Sequence, residues 1–210
     1  MAKREDGKET RLRVLNAACE IFAQKGYRDA RVADICDRAG ANVASVNYYF
    51  GGKASLYQEA WRQALEDFQQ RVILDVEADS PKEALRQYIQ ALIRLFSAKG
   101  ESADFSRLYL MELLNPTGLI EDAWREMMET RRQRLQQIIR RIIGPGTEEL
   151  AVRLCEQSII NQCRALLTIK RSDLEYMLGE RLTPDLIRRL ANHIADFSLA
   201  GIEAVGSHGP

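Results

Sequence analysis

Histidine, proline and long apolar runs are scarce in this chain, and each scarcity removes a class of function. Only two histidines occur, His193 and His208. Four cysteines stand at 19, 36, 155 and 163 with no CxxC pair and no histidine at metal spacing; that pattern reads as reduced, buried thiols and not as a zinc site or a disulfide framework. There is no GxSxG, no P-loop, no HExxH and no glycine-rich dinucleotide turn. Glu112, Glu156 and Glu175 are solitary carboxylates without an evident partner. Nothing here assembles into a catalytic set, so no enzyme activity, metal or cofactor is expected. No 18-residue apolar stretch exists, so nothing is expected to span a membrane, and no apolar run opens the sequence as a signal peptide would; the expected compartment is the cytoplasm. Five prolines in 210 residues, with Leu, Ala, Arg, Glu and Gln dominant, exclude a sheet-rich fold and point to helices. Net charge is zero, which excludes a non-specific nucleic-acid coat, since that mode depends on charge. The charge is unevenly placed, however. Residues 1–53 hold ten Lys/Arg and seven Asp/Glu, a net of +3, leaving −3 for the remainder.

What is present centres on Ala33–Lys53, ADICDRAGANVASVNYYFGGK. The spacing predicts a short helix over about Arg31–Arg38, with Val32, Ile35 and Ala39 apolar on one face. Gly40 follows, where a sharp turn favours a residue without Cβ. Asn42 is placed to cap a second helix over about Val43–Phe50, which sends Val46 and Phe50 inward at i, i+4. Cys36, four residues before Gly40, is small enough for a close helix crossing. This is a helix-turn-helix pattern, whose second helix enters the DNA major groove. Ser45 and Asn47 have side chains able to pair with base edges, Tyr48 and Tyr49 hydroxyls able to reach phosphates, and Lys53 a phosphate-directed charge. Arg31, Val43 and Ala44 complete the expected DNA face. The competing reading is a non-DNA-binding helical adaptor that keeps the hairpin for structure alone; an adaptor has no need of the Ser45/Asn47/Tyr48/Lys53 set.

Thr10–Leu56 resembles the DNA-binding domain of the TetR family of transcriptional regulators. The matching run is IFAQKGY followed by VADICDRAGANVASVNYYFGGKASLY. Two positions depart from the family pattern. Ala30 stands where a capping Thr is usual, so Asp29 is the alternative cap. Asn47 stands where a Tyr is usual, replacing a phosphate-directed group with one able to read a base.

Along the chain, Met1–Lys8 reads as a mobile arm in which Lys3, Arg4 and Lys8 could track DNA. Thr10–Lys25 reads as the first helix, closed by Gly26. Lys53–Val76 reads as one long helix, including Phe68 and Val72 on its apolar side, and is the natural lever between the DNA-reading end and the rest. Asp79-Ser80-Pro81 breaks it. Further helices follow over Pro81–Ala98 (ended by Lys99-Gly100), Ala103–Leu114, Leu119–Ile143, Glu148–Lys170, Leu174–Leu178 and Pro184 to about Val205, with turns at Asn115-Pro116-Thr117-Gly118 and Gly144-Pro145-Gly146. In the last two long helices, Leu150, Leu154, Gln157, Ser158, Asn161, Ala165 and Thr168 form one weakly polar face. Leu186, Leu190, His193, Ile194, Phe197, Ala200 and Gly201 form another. Two such helices from each of two chains make a four-helix bundle, and the resemblance places a homodimer interface in this pair. Phe105–Ile202 also resembles the CecR-like branch of the family, through RLYLMELLNPT, IINQCRALL and LTPDLIRRLANHIADFSLAGI.

The expected architecture is therefore all-α, with about nine or ten helices. A three-helix helix-turn-helix domain over residues 1–53 precedes a helical ligand-binding and dimerisation domain over 54–205, and 206–210 form a tail. The expected function is sequence-specific transcriptional regulation: a repressor that binds a palindromic operator in double-stranded DNA as a homodimer and is released by a small-molecule effector. The candidate effector site is Phe105, Leu108, Met111, Glu112, Trp124, Asn161, Gln162 and Arg164. Aromatics and methionines suit an adaptable apolar pocket, although the same stripe at helical spacing is also ordinary core. The polar groups on the Ile/Cys/Ala/Leu helix need partners, which a ligand, the second subunit or each other could supply.

Overall fold

The structure is a computed structural model that describes residues 2–71, 78–98 and 104–207, with side chains over 7–67, 78–98 and 105–207. Ten α-helices and no strand lie among the described residues: α1 (Ala2–Asp29), α2 (Val32–Ala39), α3 (Val43–Phe50), α4 (Lys53–Arg71), α5 (Pro81–Phe96), α6 (Asp104–Leu114), α7 (Glu121–Ile143), α8 (Glu149–Thr168), α9 (Arg171–Leu178) and α10 (Pro184–Ser207). By packing, they sort into two compact units, one of Met1–Arg71 with Lys99–Trp124, the other of Val72–Ala98 with Arg125–Pro210.

In the first unit α1 is the spine. Val14, Ala18 and Phe22 repeat at helical spacing and are fully buried, as are Ile35 of α2, Val46 of α3 and Leu56, Ala60 and Trp61 of α4. α4 and α6 both pack on α1. Phe22 meets Tyr57 edge-on at 4.9 Å, and Tyr27 lies 5.1 Å from the same ring; such pairs contribute about 0.5–1.5 kcal/mol beyond the area they bury. Arg11 staples three helices, bonding Glu59 of α4 while its guanidinium lies 4.9 Å over the Phe50 ring of α3.

In the second unit Ser80 accepts from the Glu83 backbone N–H and Pro81 opens α5. α5 buries Leu85, Tyr88, Ile89, Leu92 and Ile93, and α10 packs on it. Arg86–Asp196 at 2.7 Å and Gln90–Asn192 at 3.2 Å tie the two. α9 is anchored by Leu174 packing with Leu182 and Leu186.

Several expectations are corrected. The chain is helical from Ala2, so the segment read as an arm is the start of α1. The Lys3 and Arg4 side chains lie outside the described residues. Gly26 does take φ 72, but helical bonding resumes over Tyr27–Asp29, because Ala30 N–H bonds the Gly26 carbonyl. α2 starts at Val32 behind Arg31, and neither Arg31 nor Asp29 caps it with a side-chain bond; Asp34, hydrogen-bonded by Lys25 at 2.5 Å, supplies the first-turn negative charge instead. α10 runs through Gly206 to Ser207, so residues 206 and 207 belong to the helix and not to a tail. A Cβ at Gly206 would stand 3.2 Å from the Ile143 carbonyl oxygen, and glycine permits that approach. The far end of the lever (72–76), the Phe68 side chain, Lys99-Gly100, Ala103 and His208 lie outside the described residues.

The three carboxylates read as solitary all have partners. Glu112 accepts from Tyr57 and Thr117, and Glu175 accepts from Arg171 Nε at 3.1 Å and the Leu182 backbone N–H at 2.8 Å. Glu156, 2% exposed, accepts from Arg132 Nε at 3.1 Å and Gln136 Nε2 at 2.6 Å. Of the cysteines, Cys36, Cys155 and Cys163 are buried and Cys19 is half-buried, its Sγ 3.4 Å from the Ala60 carbonyl. Burial pushes the Cys163 thiol up to about 12.

The Glu156 cluster makes a stability prediction. Glu156→Ala would leave the buried Gln136 amide and half of the Arg132 fork without an acceptor, and should cost about 1–3 kcal/mol in urea unfolding. Glu156→Gln, which retains an acceptor, should cost less; equal losses for the two variants would show that the cluster contributes nothing through hydrogen bonding.

Candidate nucleic-acid interface

The turn between α2 and α3 is built by backbone chemistry. Gly40 adopts φ 61 and its N–H bonds the Asp37 carbonyl at 3.3 Å, while Ala41 N–H bonds Cys36 carbonyl at 2.9 Å. These paired bonds close α2 as a helix C-terminus with a left-handed residue does. Asn42 then opens α3: its Oδ1 accepts from the Ser45 backbone N–H at 2.9 Å and from the Ser45 hydroxyl at 3.1 Å. α3 buries Val46 and Phe50 against the unit and turns the rest outward.

The outward face carries the expected DNA-reading set. Val43 is 51% and Tyr48 82% exposed, high values for side chains of this size, and Ala44 and Asn47 are exposed beside them. Ser45 is half-buried, its hydroxyl engaged by Asn42. Tyr49 is half-buried as well, stacked edge-on against Tyr48 at 4.9 Å. The start of α1 passes over Tyr49, where a Cβ at Gly7 would sit 3.3 Å from its hydroxyl. Arg31 is exposed at the start of α2.

Lys53, at the start of α4, is held by the protein. Its Nζ donates to the Arg28 carbonyl at 3.3 Å and lies 4.6 Å from the centre of the Tyr27 ring. Sequence reasoning missed Tyr27 and Arg28 as the holders of this charge. The only local signal for them is Gly26, whose positive φ turns the end of α1 toward α4.

The candidate effector residues divide between the units. Phe105, Leu108 and Glu112 are buried in the first, with Met111 and Trp124 half-buried. Trp61 lies 5.7 Å from Phe105 and 6.1 Å from Trp124, and Trp124 stacks on Tyr109 at 5.0 Å. Tyr57, its phenol pushed up by burial and by the Glu112 bond, remains a donor to that carboxylate. Asn161, Gln162 and Arg164 belong to α8 in the second unit. Asn161 is exposed and accepts from Arg164 Nη1 at 3.5 Å, and Gln162 is half-buried with its amide on the Ser158 carbonyl. Asn161 thus faces outward, whereas Gln162 and Arg164 are half-buried and the Arg164 Nε is out of water.

Comparison with known proteins fits this geometry. Residues 14–60 match the family model described as bacterial regulatory proteins, tetR family. Residues 81–202, more than half of the chain, match the model for the C-terminal domain of the HTH-type transcriptional dual regulator CecR. The chain is a TetR-family transcriptional regulator with a CecR-type C-terminal domain. It is 27% identical to the HTH-type transcriptional regulator SrpR of Pseudomonas putida over 165 residues, 78% of this chain and 74% of SrpR. It is 30% identical to the regulator RutR of Escherichia coli K12 over 112 residues, 52% of this chain, and spans half of RutR's length (50%). In fold it is similar to the crystal structure of FadR from Bacillus subtilis in complex with stearoyl-CoA, with a TM-score of 0.66 at 21% identity over 90% of this chain and 98% of that one. The regulator thus belongs to a family that binds DNA through the helix-turn-helix. Among the described residues, no helix is long and apolar enough to cross a membrane.

The cap of α3 is testable. Asn42→Ala removes the acceptor for the Ser45 N–H and should cost about 1 kcal/mol in thermal unfolding, with a parallel loss of DNA affinity as the helix frays. Asn42→Asp or Asn42→Ser should retain most of both. An Asn42→Ala protein that binds DNA as wild type does would show that the cap does not govern the reading helix.

Proposed function

We propose that this regulator is a repressor that binds a palindromic operator as a homodimer and releases it when a small-molecule effector binds. The single observation that carries the reading is the outward face of α3, where Val43, Ala44, Asn47 and Tyr48 stand exposed beside the capped N-terminus. In this reading residues 1–53 read DNA, and 54–205 receive the effector and the second subunit. The protein acts in the cytoplasm by binding alone, without catalysis. Asn47 reads a base edge, most simply adenine, because its amide both donates and accepts. Tyr48, Tyr49, Arg31 and Lys53 address phosphates, and Val43, Ala44 and Ser45 make the closer contacts at the start of the helix.

Support for a dimer comes from apolar exposure in the second unit. Leu150 and Leu154 on α8 are 56% and 58% exposed, and Phe197 on α10 is 63% exposed. Spacing places Ser158 and Asn161 on the Leu154 side of α8, and His193 and Gly201 on the Phe197 side of α10. Asn161, Gln162 and Arg164 are assigned here to the subunit face and not to the effector. The effector is assigned to the aromatic group of Phe105 and Trp124 with Leu108, Met111 and Glu112; the FadR structure shows that a similar fold holds an acyl-CoA. A two-fold dimer engages DNA when its reading helices stand about one helical turn, roughly 34–36 Å, apart. An effector weakens the complex by favouring another spacing, in proportion to its difference in affinity for the two settings.

Selection of bound fragments from random duplex DNA tests the whole reading, and a palindromic consensus is expected. On that operator, Asn47→Ala should cost about 1–3 kcal/mol at one position per half-site and relax the preference there, while Lys53→Ala should weaken all sequences evenly and lower the salt slope by about one. An unchanged consensus for Asn47→Ala would remove it from base reading. For the dimer, Phe197→Glu buries an unpaired charge and should sediment as a monomer with its helices intact. A variant that stays dimeric would place the interface elsewhere.

A further inference from the structure

The first unit contains a cleft of about 490 Å³, walled by the end of α1 (Gln24–Asp29), Tyr57 of α4, and Met111, Glu112, Asn115 and Thr117 of α6 and its following turn. Its floor is unusual. Glu112 is 7% exposed, and every partner it has is neutral: the Tyr57 hydroxyl at 2.8 Å, the Thr117 backbone N–H at 2.8 Å and the Thr117 hydroxyl at 2.9 Å. Among the described residues no Lys, Arg or His forms an ion pair with it. The contrast with Glu156, which is also buried and carries Arg132, is direct. A buried carboxylate is costly to leave without a counter-charge, and this one opens onto a space large enough for a small molecule.

We propose that the cleft is a binding site for a small organic cation, an ammonium or guanidinium, with the Glu112 carboxylate as its counter-charge. The cleft shares only Met111 and Glu112 with the effector group assigned above, so this is a site beside it; the proposal rests on the effector-responsive reading for its consequence, though not for the binding itself. The cation takes the place of the Thr117 hydroxyl on Glu112, while Tyr57 remains bonded from the other side. The rim refines the class. Lys25 is already engaged with Asp34 at 2.5 Å, but Arg28 and Asp29 stand exposed at the mouth with the Gln24 and Asn115 amides. A cation carrying a polar or acidic tail therefore fits better than an apolar amine. Occupancy also bears on DNA reading. The wall formed by Tyr27 and Arg28 is the one that holds Lys53, through the Tyr27 ring and the Arg28 carbonyl. A ligand that orders this wall fixes a phosphate-directed charge beside α3.

The test is calorimetric titration of the full chain with Nα-acetylarginine, agmatine and Nα-acetylcitrulline. Acetylarginine and agmatine carry a guanidinium with and without a carboxylate, and acetylcitrulline is the isostere of acetylarginine that has no cationic group. Binding of acetylarginine or agmatine but not acetylcitrulline is expected. Glu112→Gln should weaken it roughly tenfold or more, the loss of a charge-assisted contact. Should Glu112→Gln fold poorly, Asn115→Trp decides, since it changes an exposed rim residue and closes the mouth; it should abolish binding with helicity unchanged. The proposal is overturned if the wild type takes neither cation, if acetylcitrulline binds as well as acetylarginine, or if a folded variant binds as tightly as wild type. Operator affinity measured on the same preparations separates the two readings. Cation binding without any operator binding would leave the site standing and sink the regulatory reading, whereas operator binding with no cation binding would do the reverse.

Discussion

The hydrogen bond from Tyr57 to Glu112, 2.8 Å long and buried, is the constraint on which the first unit depends. It joins α4 to α6 across 55 residues of sequence, and both of its atoms are out of water. Neither group is tolerable there alone. A carboxylate without donors and a phenol without an acceptor would each carry a desolvation penalty of about 1–3 kcal/mol or more, so the pair specifies one docking of α6 against α4. The Tyr57 ring in turn fixes the end of α1 through Phe22 and Tyr27. The helix-turn-helix therefore sits in a packing unit that includes α4 and α6, and the position of the reading helix is tied to residues far from it in sequence.

That distance in sequence separates what could be read from the chain from what could not. α3 was legible to the residue, because an Asn cap, a Gly at positive φ and a Val46/Phe50 pair are local signals whose physics acts within one helical turn. The break at Ser80-Pro81 was legible for the same reason. The partners of Glu112 and Glu156 were not. Apart from Thr117, five residues from Glu112, they lie 55, 24 and 20 residues away, and nothing in a local window distinguishes a buried acid with neutral donors from an exposed one. Composition was a partial guide on α8, where Asn161, Gln162 and Arg164 among apolar residues suggested polar groups set into a core. At 100° per residue Asn161 falls on the open side while Gln162 and Arg164 flank the packed one, and only packing shows which side is which. The length of α1 was underestimated because charged, apolar-free residues at a helix start look like an arm.

The two buried acids show two solutions to one problem. Glu156 is neutralised by an arginine whose own side chain reaches water, 36% exposed, so the pair leaks its field to solvent and acts as structure. Glu112 is solvated by a phenol, a hydroxyl and an amide, and none of these cancels its charge. The first arrangement is closed, because no further cation can approach without displacing one already present. The second is open, and its openness coincides with a cleft.

Lys53 brings these strands together at the DNA-facing end. A lysine left free in solvent loses about 2 kcal/mol of rotamer freedom when it settles on a phosphate. Here a carbonyl and an aromatic face already restrict it, so part of that loss is incurred on folding. For a chain with no net charge, affinity for DNA cannot come from a general electrostatic excess. On the proposed reading it comes from a few charges placed for phosphates, and the charge on Lys53 is held by the same α1 terminus that walls the cleft. On that reading, any event that loosens Tyr27 or Arg28 returns Lys53 to a flexible state and weakens every site by a similar factor. An event that moves α3 itself changes which sequence is read.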